Sequence, residues 1–171
     1  NLENVNFNKI NNKIIIFKQK MFYYKLNLYY EDFIWHGSKA CKKKYFKSPQ
    51  WLRDIKSKKY PLWRLDLLFS KKKYSDLHHV QKGGWHFTCI RTPKDLENKL
   101  LNFAHHYEYE QSGLNVDDLS KLIKEKRVMY DHNVDQRDYK WSGKSILKNL
   151  DSKFLPDHVS SNLGKYSDWL D

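Results

Sequence analysis

The segment Gly83-Gly84-Trp85-His86-Phe87-Thr88 constrains this chain most, because Arg91-Thr92-Pro93 and then a helical pattern follow it. Paired glycines permit positive φ or a close backbone approach. Thr92 suits an N-cap, Pro93 the first helical position, and Asp95 and Glu97 the positive end of the helix dipole. Leu96, Leu100, Phe103, Ala104 and Tyr107 recur at helical spacing and predict one buried stripe. The segment therefore reads as strand, turn, helix. If Trp85, Phe87 and Cys89 face the core, the pleat sends His86 and Thr88 to the opposite face, away from the packing.

Upstream, Ile14, Ile15, Ile16 and Phe17 form a short apolar run. Phe22, Tyr24, Leu26 and Leu28 alternate with Tyr23, Lys25, Asn27 and Tyr29, the period of a half-buried strand. Trp63, Leu65, Leu67 and Phe69 alternate with Arg64, Asp66 and Leu68 and predict another strand. Trp35-His36-Gly37-Ser38 and Ser48-Pro49 carry turn chemistry. A second helix is predicted over 116–127, with Asp117 and Asp118 early and Lys124, Lys126 and Arg127 late. A third begins near Pro156, with Val159, Leu163, Tyr166 and Leu170 on one stripe, and the polar stretch 131–149 reads as irregular. No Gly-Ser or Pro-rich linker divides the chain, so 1–171 reads as one unit, strands first and helices later, α/β or α+β by this pattern.

The length of 171 residues suits one domain, and nine Phe, six Trp and twelve Tyr exclude a disordered tail. No apolar run approaches the length of a membrane-spanning helix or a signal-peptide core. The net charge of +12 suggests a polyanionic partner, yet 27 Lys against 5 Arg, with 13 Asn, is what an AT-rich coding bias yields whatever the function. Lysine also lacks the planar fork that reads phosphates and bases bidentately. Solvated faces are thus the better reading of the basic runs, and no specific nucleic-acid partner is expected. Cys41 and Cys89 have no metal-spaced partner and read as free thiols. The chain starts at Asn1 and its first methionine is Met21, which is expected of a processed or truncated product.

Among groups that carry chemistry, His86 beside the glycine pair could serve as general base or ligand, or as a hydrogen-bonded structural residue. His105 and Glu108 stand three apart at the end of the predicted helix, with His106 between them, as an incomplete cation site or a polar helix end. His78-His79, Glu31-Asp32 and Asp117-Asp118 add no third ligand. No phosphate-cradling P-loop, nucleophile elbow or dinucleotide glycine fingerprint is present.

Several separated segments together resemble glycosyltransferase family 17, the family of the β-1,4-mannosyl-glycoprotein β-1,4-N-acetylglucosaminyltransferase. They are Tyr23-Tyr24-Lys25-Leu26-Asn27, Trp35-His36-Gly37-Ser38, Pro49 with Leu52-Arg53, the Gly83-Gly84-Trp85-His86-Phe87-Thr88 block, Lys99-Leu100 with Phe103-Ala104-His105, and Leu155-Pro156 with Asn162 and Tyr166. Their order and spacing agree over nearly the whole chain, which resembles only the C-terminal part of the family. Thr88 stands where the family usually has Ser, and the family's His and Glu one residue apart could be matched by His105 or by His106 with Glu108.

The resemblance implies an α/β, GT-A-like nucleotide-sugar transferase of which this chain is the acceptor-side part, truncated at its N-terminus. It implies transfer of N-acetylglucosamine from UDP-N-acetylglucosamine to a mannose-containing or similar glycan, as in N-glycan processing. His86 and Glu108 would be the catalytic candidates, and Gly83, Gly84, Trp85, Trp35, Asn27 and Arg53 the substrate-binding ones. A divalent metal, Mn²⁺ or Mg²⁺, would be held mainly by an acidic motif upstream of Asn1, with His105 and His106 as the metal candidates here. The isolated chain is accordingly expected to be inactive. A bacterial or viral relative would be cytoplasmic, and a secretory-pathway one would sit at the Golgi membrane through an upstream anchor. The alternatives from other classes are a basic nucleic-acid-binding module and a non-catalytic sugar-binding module.

Overall fold

The computed structural model describes residues 5–103, 106–135 and 138–171. Its strands are β1 (Ile14–Phe17), β2 (Gln19–Tyr23), β3 (Leu28–Trp35), β4 (Lys39–Cys41), β5 (Leu77–Val80), β6 (Trp85–Thr88) and β7 (Lys148–Asn149). Its α-helices are α1 (Pro49–Asp54), α2 (Asp66–Phe69), α3 (Pro93–Leu101), α4 (His106–Ser112), α5 (Val116–Lys124) and α6 (Asp157–Ser160). The chain is of α/β class, with two mixed sheets and helices. The described residues divide into two compact units, one made of residues up to Gln19 with Ile34–Gly84, the other of Lys20–Phe33 with Trp85–Asp171.

The first unit is built on the sheet β4-β1-β5, in which β1 pairs antiparallel with β4 and parallel with β5. The run of four apolar residues in β1 reflects its central place. Ile14 and Ile16 pack with Ile55 and Leu77 against Trp51, Leu52 and Tyr74, while Ile15 and Phe17 pack with Ile10 and Val80 on the other side. Both faces are covered, so polar alternation would bury polar groups at a cost. Truncating Ile14 or Ile16 to Ala, each fully buried, should cost about 2–5 kcal/mol. Ser48 caps α1, its Oγ accepting from the Trp51 amide at 3.1 Å, and the Lys39 ammonium donates to the Arg53 and Ile55 carbonyls at the far end.

The alternation over 63–69 does not become a strand. Leu62 to Leu65 form turns and Asp66 to Phe69 one helical turn, with Trp63, Leu65 and Phe69 exposed. No neighbouring strand pairs with the segment among the described residues, and an unpaired strand leaves its amides and carbonyls unsatisfied.

In the second unit the sheet order is β6-β2-β3-β7, with β6 parallel to β2 and β7 antiparallel to β3. The strand expected over 22–29 is instead the end of β2, a tight turn and the start of β3. Tyr24 takes φ 63°, and the Lys25 amide donates to the Tyr23 carbonyl at 2.6 Å. Burial of the Tyr24 hydroxyl, which accepts from the Met129 amide at 2.8 Å, holds this left-handed conformation in a residue that rarely adopts it.

The Thr92 cap and Pro93 start α3 as expected, and Leu96 and Leu100 are buried where α3 packs on α5 and α4. The expected stripe does not reach Tyr107. The helix ends at Leu101, and Phe103 and Tyr107 are exposed. Ala104 lies outside the described residues. The helix over 116–127 stops at Lys124 and begins with a reciprocal cap between Asn115 and Asp118. The third predicted helix is only α6 followed by a 3₁₀ segment, Leu163–Trp169. Val159, Leu163, Tyr166 and Leu170 are nonetheless more covered than their exposed neighbours, so the stripe survives the change of helix type.

Candidate functional site

His86 lies on β6 in register with Met21 of β2, and Thr88 with Tyr23. Residues in register share a face, and Met21 and Tyr23 are buried, so His86 does not face away from the packing. This sheet is covered on both sides, because Phe22 and Phe87, on the opposite face, also meet at 5.1 Å between ring centroids. Burial and the Lys99 ammonium both lower the His86 imidazole below its ordinary value, which leaves it neutral at pH 7.

A second imidazole that the sequence reading did not single out meets Tyr23 at the end of β2. His132 Nε2 lies 3.3 Å from the Tyr23 hydroxyl. Its ring stacks on Phe33 at 4.8 Å and meets Tyr130 edge-on at 5.0 Å. Burial pushes His132 down to about 4, helped by Lys140 and by the repulsion of a charge on His86, while Asp131 opposes the shift. Trp141 extends the aromatic surface, 5.4 Å from Tyr130 and 5.8 Å from Tyr109.

Asp131 anchors the loop that carries His132. Its carboxylate is 1% exposed and accepts four hydrogen bonds. Oδ1 receives the Tyr30 hydroxyl at 2.6 Å and the Asn133 amide at 2.9 Å, while Oδ2 receives the Ser145 hydroxyl at 2.5 Å and the Ser145 amide at 3.1 Å. Burial alone would raise this carboxyl, but the bonds from Ser145, Tyr30 and the two amides hold it below the usual range. An ionised, fully bonded carboxylate of this kind fixes a loop rather than transferring protons. The surrounding stretch is irregular, as its polarity predicted, up to Lys148–Asn149, where it instead forms β7 against β3, and irregular polar sequence gives no local signal of which acid is buried.

The other predicted residues fall in both units. In the first unit, Gly83 is closed in by its own chain: a Cβ there would stand 2.7 Å from Phe17 Cβ, and its amide donates to the Lys18 carbonyl at 2.7 Å. Gly84 takes φ 111°, which only glycine adopts readily. The Trp35 ring lies against Gly37, where a Cβ would come within 2.2 Å of the indole. Arg53 is exposed near the end of α1.

In the second unit, Trp85 donates its Nε1 proton to the Phe154 carbonyl at 2.9 Å. The Asn27 amide donates to the Asp171 carbonyl at 3.1 Å and its oxygen accepts from the Asp171 amide at 2.8 Å, which fastens the last residue to the β2-β3 turn. Glu108 is on the exposed side of α4. His106 sets Nδ1 3.2 Å from the Phe103 carbonyl, and His105 lies outside the described residues.

Among the described residues no three His, Cys, Asp or Glu side chains gather as a cation site. By themselves they supply no ligand set for the divalent ion that the resemblance implies. No protein-family profile matches this chain, and neither a curated protein nor a solved structure matches it significantly. No helix among the described residues is long and apolar enough to cross a membrane.

Proposed function

We propose that this chain is the acceptor-side part of a GT-A-like glycosyltransferase resembling family 17, transferring N-acetylglucosamine from UDP-N-acetylglucosamine to a mannose-containing or similar glycan. The observation that carries this reading is the His86 imidazole, on the strand that follows the glycine pair, lowered below its ordinary value by burial and by the Lys99 ammonium. In the proposed step the acceptor hydroxyl gives its proton to His86 as its oxygen bonds to the sugar's anomeric carbon, and the bond from that carbon to the diphosphate breaks. A protonated imidazole has no lone pair for this proton, so the lowered value suits the role. Tyr130 and Trp141, both partly exposed, offer flat rings on which the apolar face of a sugar can rest.

The test is saturation-transfer NMR on the 171-residue chain, with mannose-containing oligosaccharides and UDP-N-acetylglucosamine as separate probes. The expected result is saturation transfer to the oligosaccharide, weakened when Trp141 is replaced by Ala. Absence of transfer to any glycan, together with single-stranded nucleic-acid binding that persists at about 150 mM salt, would overturn the proposal in favour of a nucleic-acid module.

A further inference from the structure

Residues 60–74 of the first unit form a loop on a closed stem. The Tyr60 amide donates to the Tyr74 carbonyl at 3.2 Å and closes it, and the Lys56 amide, ahead of the loop, donates to the Lys72 carbonyl within it at 2.8 Å. Trp51 holds the base of the stem, its Nε1 donating to the Tyr74 hydroxyl at 3.1 Å. The loop carries outward side chains that a water-facing turn would not select: Leu62 is 84% exposed, Trp63 80%, Leu65 75%, Leu68 78% and Phe69 89%. Five large apolar groups within eight residues are more than the scattered exposure normal for a surface.

The charge around them is one-sided. Lys56, Lys58 and Lys59 precede the loop and Lys71, Lys72 and Lys73 stand in its closing arm, with Arg64 between them and Lys72 turned to an acid outside this stretch, Asp54 at 3.0 Å. The single acid of this stretch, Asp66, is neutralised by Arg64 Nε at 2.8 Å, Arg64 Nη2 at 2.9 Å and Lys73 Nζ at 2.7 Å. Lysine is depleted at protein–protein interfaces, where its hydrated ammonium must be stripped of water. At a lipid leaflet the same residue keeps its head at the phosphates while its stem lies along apolar surface. Tryptophan settles at the headgroup level, and Leu and Phe enter the acyl boundary.

We propose that the 60–74 loop is a membrane-docking element that inserts Leu62, Trp63, Leu65, Leu68 and Phe69 into one leaflet of an anionic bilayer, with the flanking lysines on its headgroups. The docking is peripheral, because the apolar stretch is far shorter than a span. The lysines give it a preference for anionic lipid and the apolar tip gives it resistance to salt, since only the electrostatic part is screened. This inference is independent of the glycosyltransferase reading, and a chain that binds no glycan can still satisfy it.

The experiment is co-sedimentation of the 171-residue chain with sucrose-loaded vesicles, either pure phosphatidylcholine or phosphatidylcholine with about 30 mol% phosphatidylserine, at about 150 mM salt. Partition onto the anionic vesicles should exceed that onto neutral ones by about tenfold or more. Leu68→Glu with Phe69→Glu should reduce it by at least about tenfold without altering the circular dichroism spectrum, since both side chains are exposed. In the unaltered chain, bromine-labelled lipid should quench tryptophan fluorescence, and Trp63→Phe should remove most of that quenching. Three results would each overturn the proposal: no pelleting with anionic vesicles, pelleting without bromine quenching, or a double variant that binds as the parent does. If the double variant instead abolishes self-association and the parent ignores vesicles, the loop is the contact between copies of this chain and the lipid assignment is wrong.

Discussion

The Tyr30 hydroxyl donates a 2.6 Å hydrogen bond to Oδ1 of Asp131, joining positions 101 residues apart in the chain. Tyr30 is fully buried in β3 and Asp131 opens the irregular stretch that carries His132, so this bond holds the imidazole loop to the sheet. Tyr30→Phe keeps the ring and deletes the donor. It should lower unfolding free energy in urea by about 1–3 kcal/mol, the cost of leaving a buried carboxylate short of one partner. A loss under about 0.5 kcal/mol would show that the bond contributes little.

Tyr109 makes the opposite case. Its ring is the buried one of α4, and its hydroxyl is out of contact with water and has no hydrogen-bond partner among the described residues. Tyr109→Phe removes a desolvated group that gains nothing in return, so stability should stay level or rise by about 0.5–1 kcal/mol. Destabilisation beyond about 1 kcal/mol in the same urea measurement would mean that the hydroxyl is satisfied in solution.

His132 makes stability depend on pH. An unfolded chain takes up the proton near the ordinary imidazole value of about 6.5, whereas the folded protein resists it down to about 4. Between these values the unfolded state binds more protons, so the stabilising contribution is complete above about pH 6.5 and is lost as pH falls toward 4. Allowing for partial solvent access, that loss is on the order of 2 kcal/mol. Asp131, lowered below its ordinary value, adds to it only below about pH 4. Thermal melts from pH 7 to 4 should show the decline, and His132→Phe should flatten it. An equally steep decline in the variant would assign the titration to other groups.

His86→Ala tests the proposed chemistry in whatever form of the protein transfers sugar. Turnover should fall by about a hundredfold or more. Because His86 shares its face with buried Met21 and Tyr23, some stability should be lost too, but less than the roughly 3 kcal/mol expected of an aromatic core truncation. An unchanged rate with a large drop in melting temperature would make His86 a packing residue only.

What the sequence alone determined is what neighbours along the chain control. Ile14 to Phe17 is β1 because four consecutive apolar β-formers suit a strand buried on both faces. Thr92-Pro93 starts α3 because a cap satisfies amides within three residues of itself, and Asp117 and Asp118 mark the first turn of α5. Gly84 was legible as a turn residue because positive φ is a local demand.

Tertiary structure alone decided which periodicity would find a partner. Two alternating segments looked alike, but residues 22–29 fold back through a turn whose Tyr24 hydroxyl reaches Met129, and residues 63–69, which no strand among the described residues pairs, stand outside as turns and α2. The same holds for the site. Asp131, His132 and Trp141 lie in a polar stretch without period, and their environment comes from Tyr23, Tyr30 and Phe33, some hundred residues earlier. Burial of a carboxylate, or the lowering of an imidazole, is a property of the groups packed around it. A sequence names those groups without saying which of them meet.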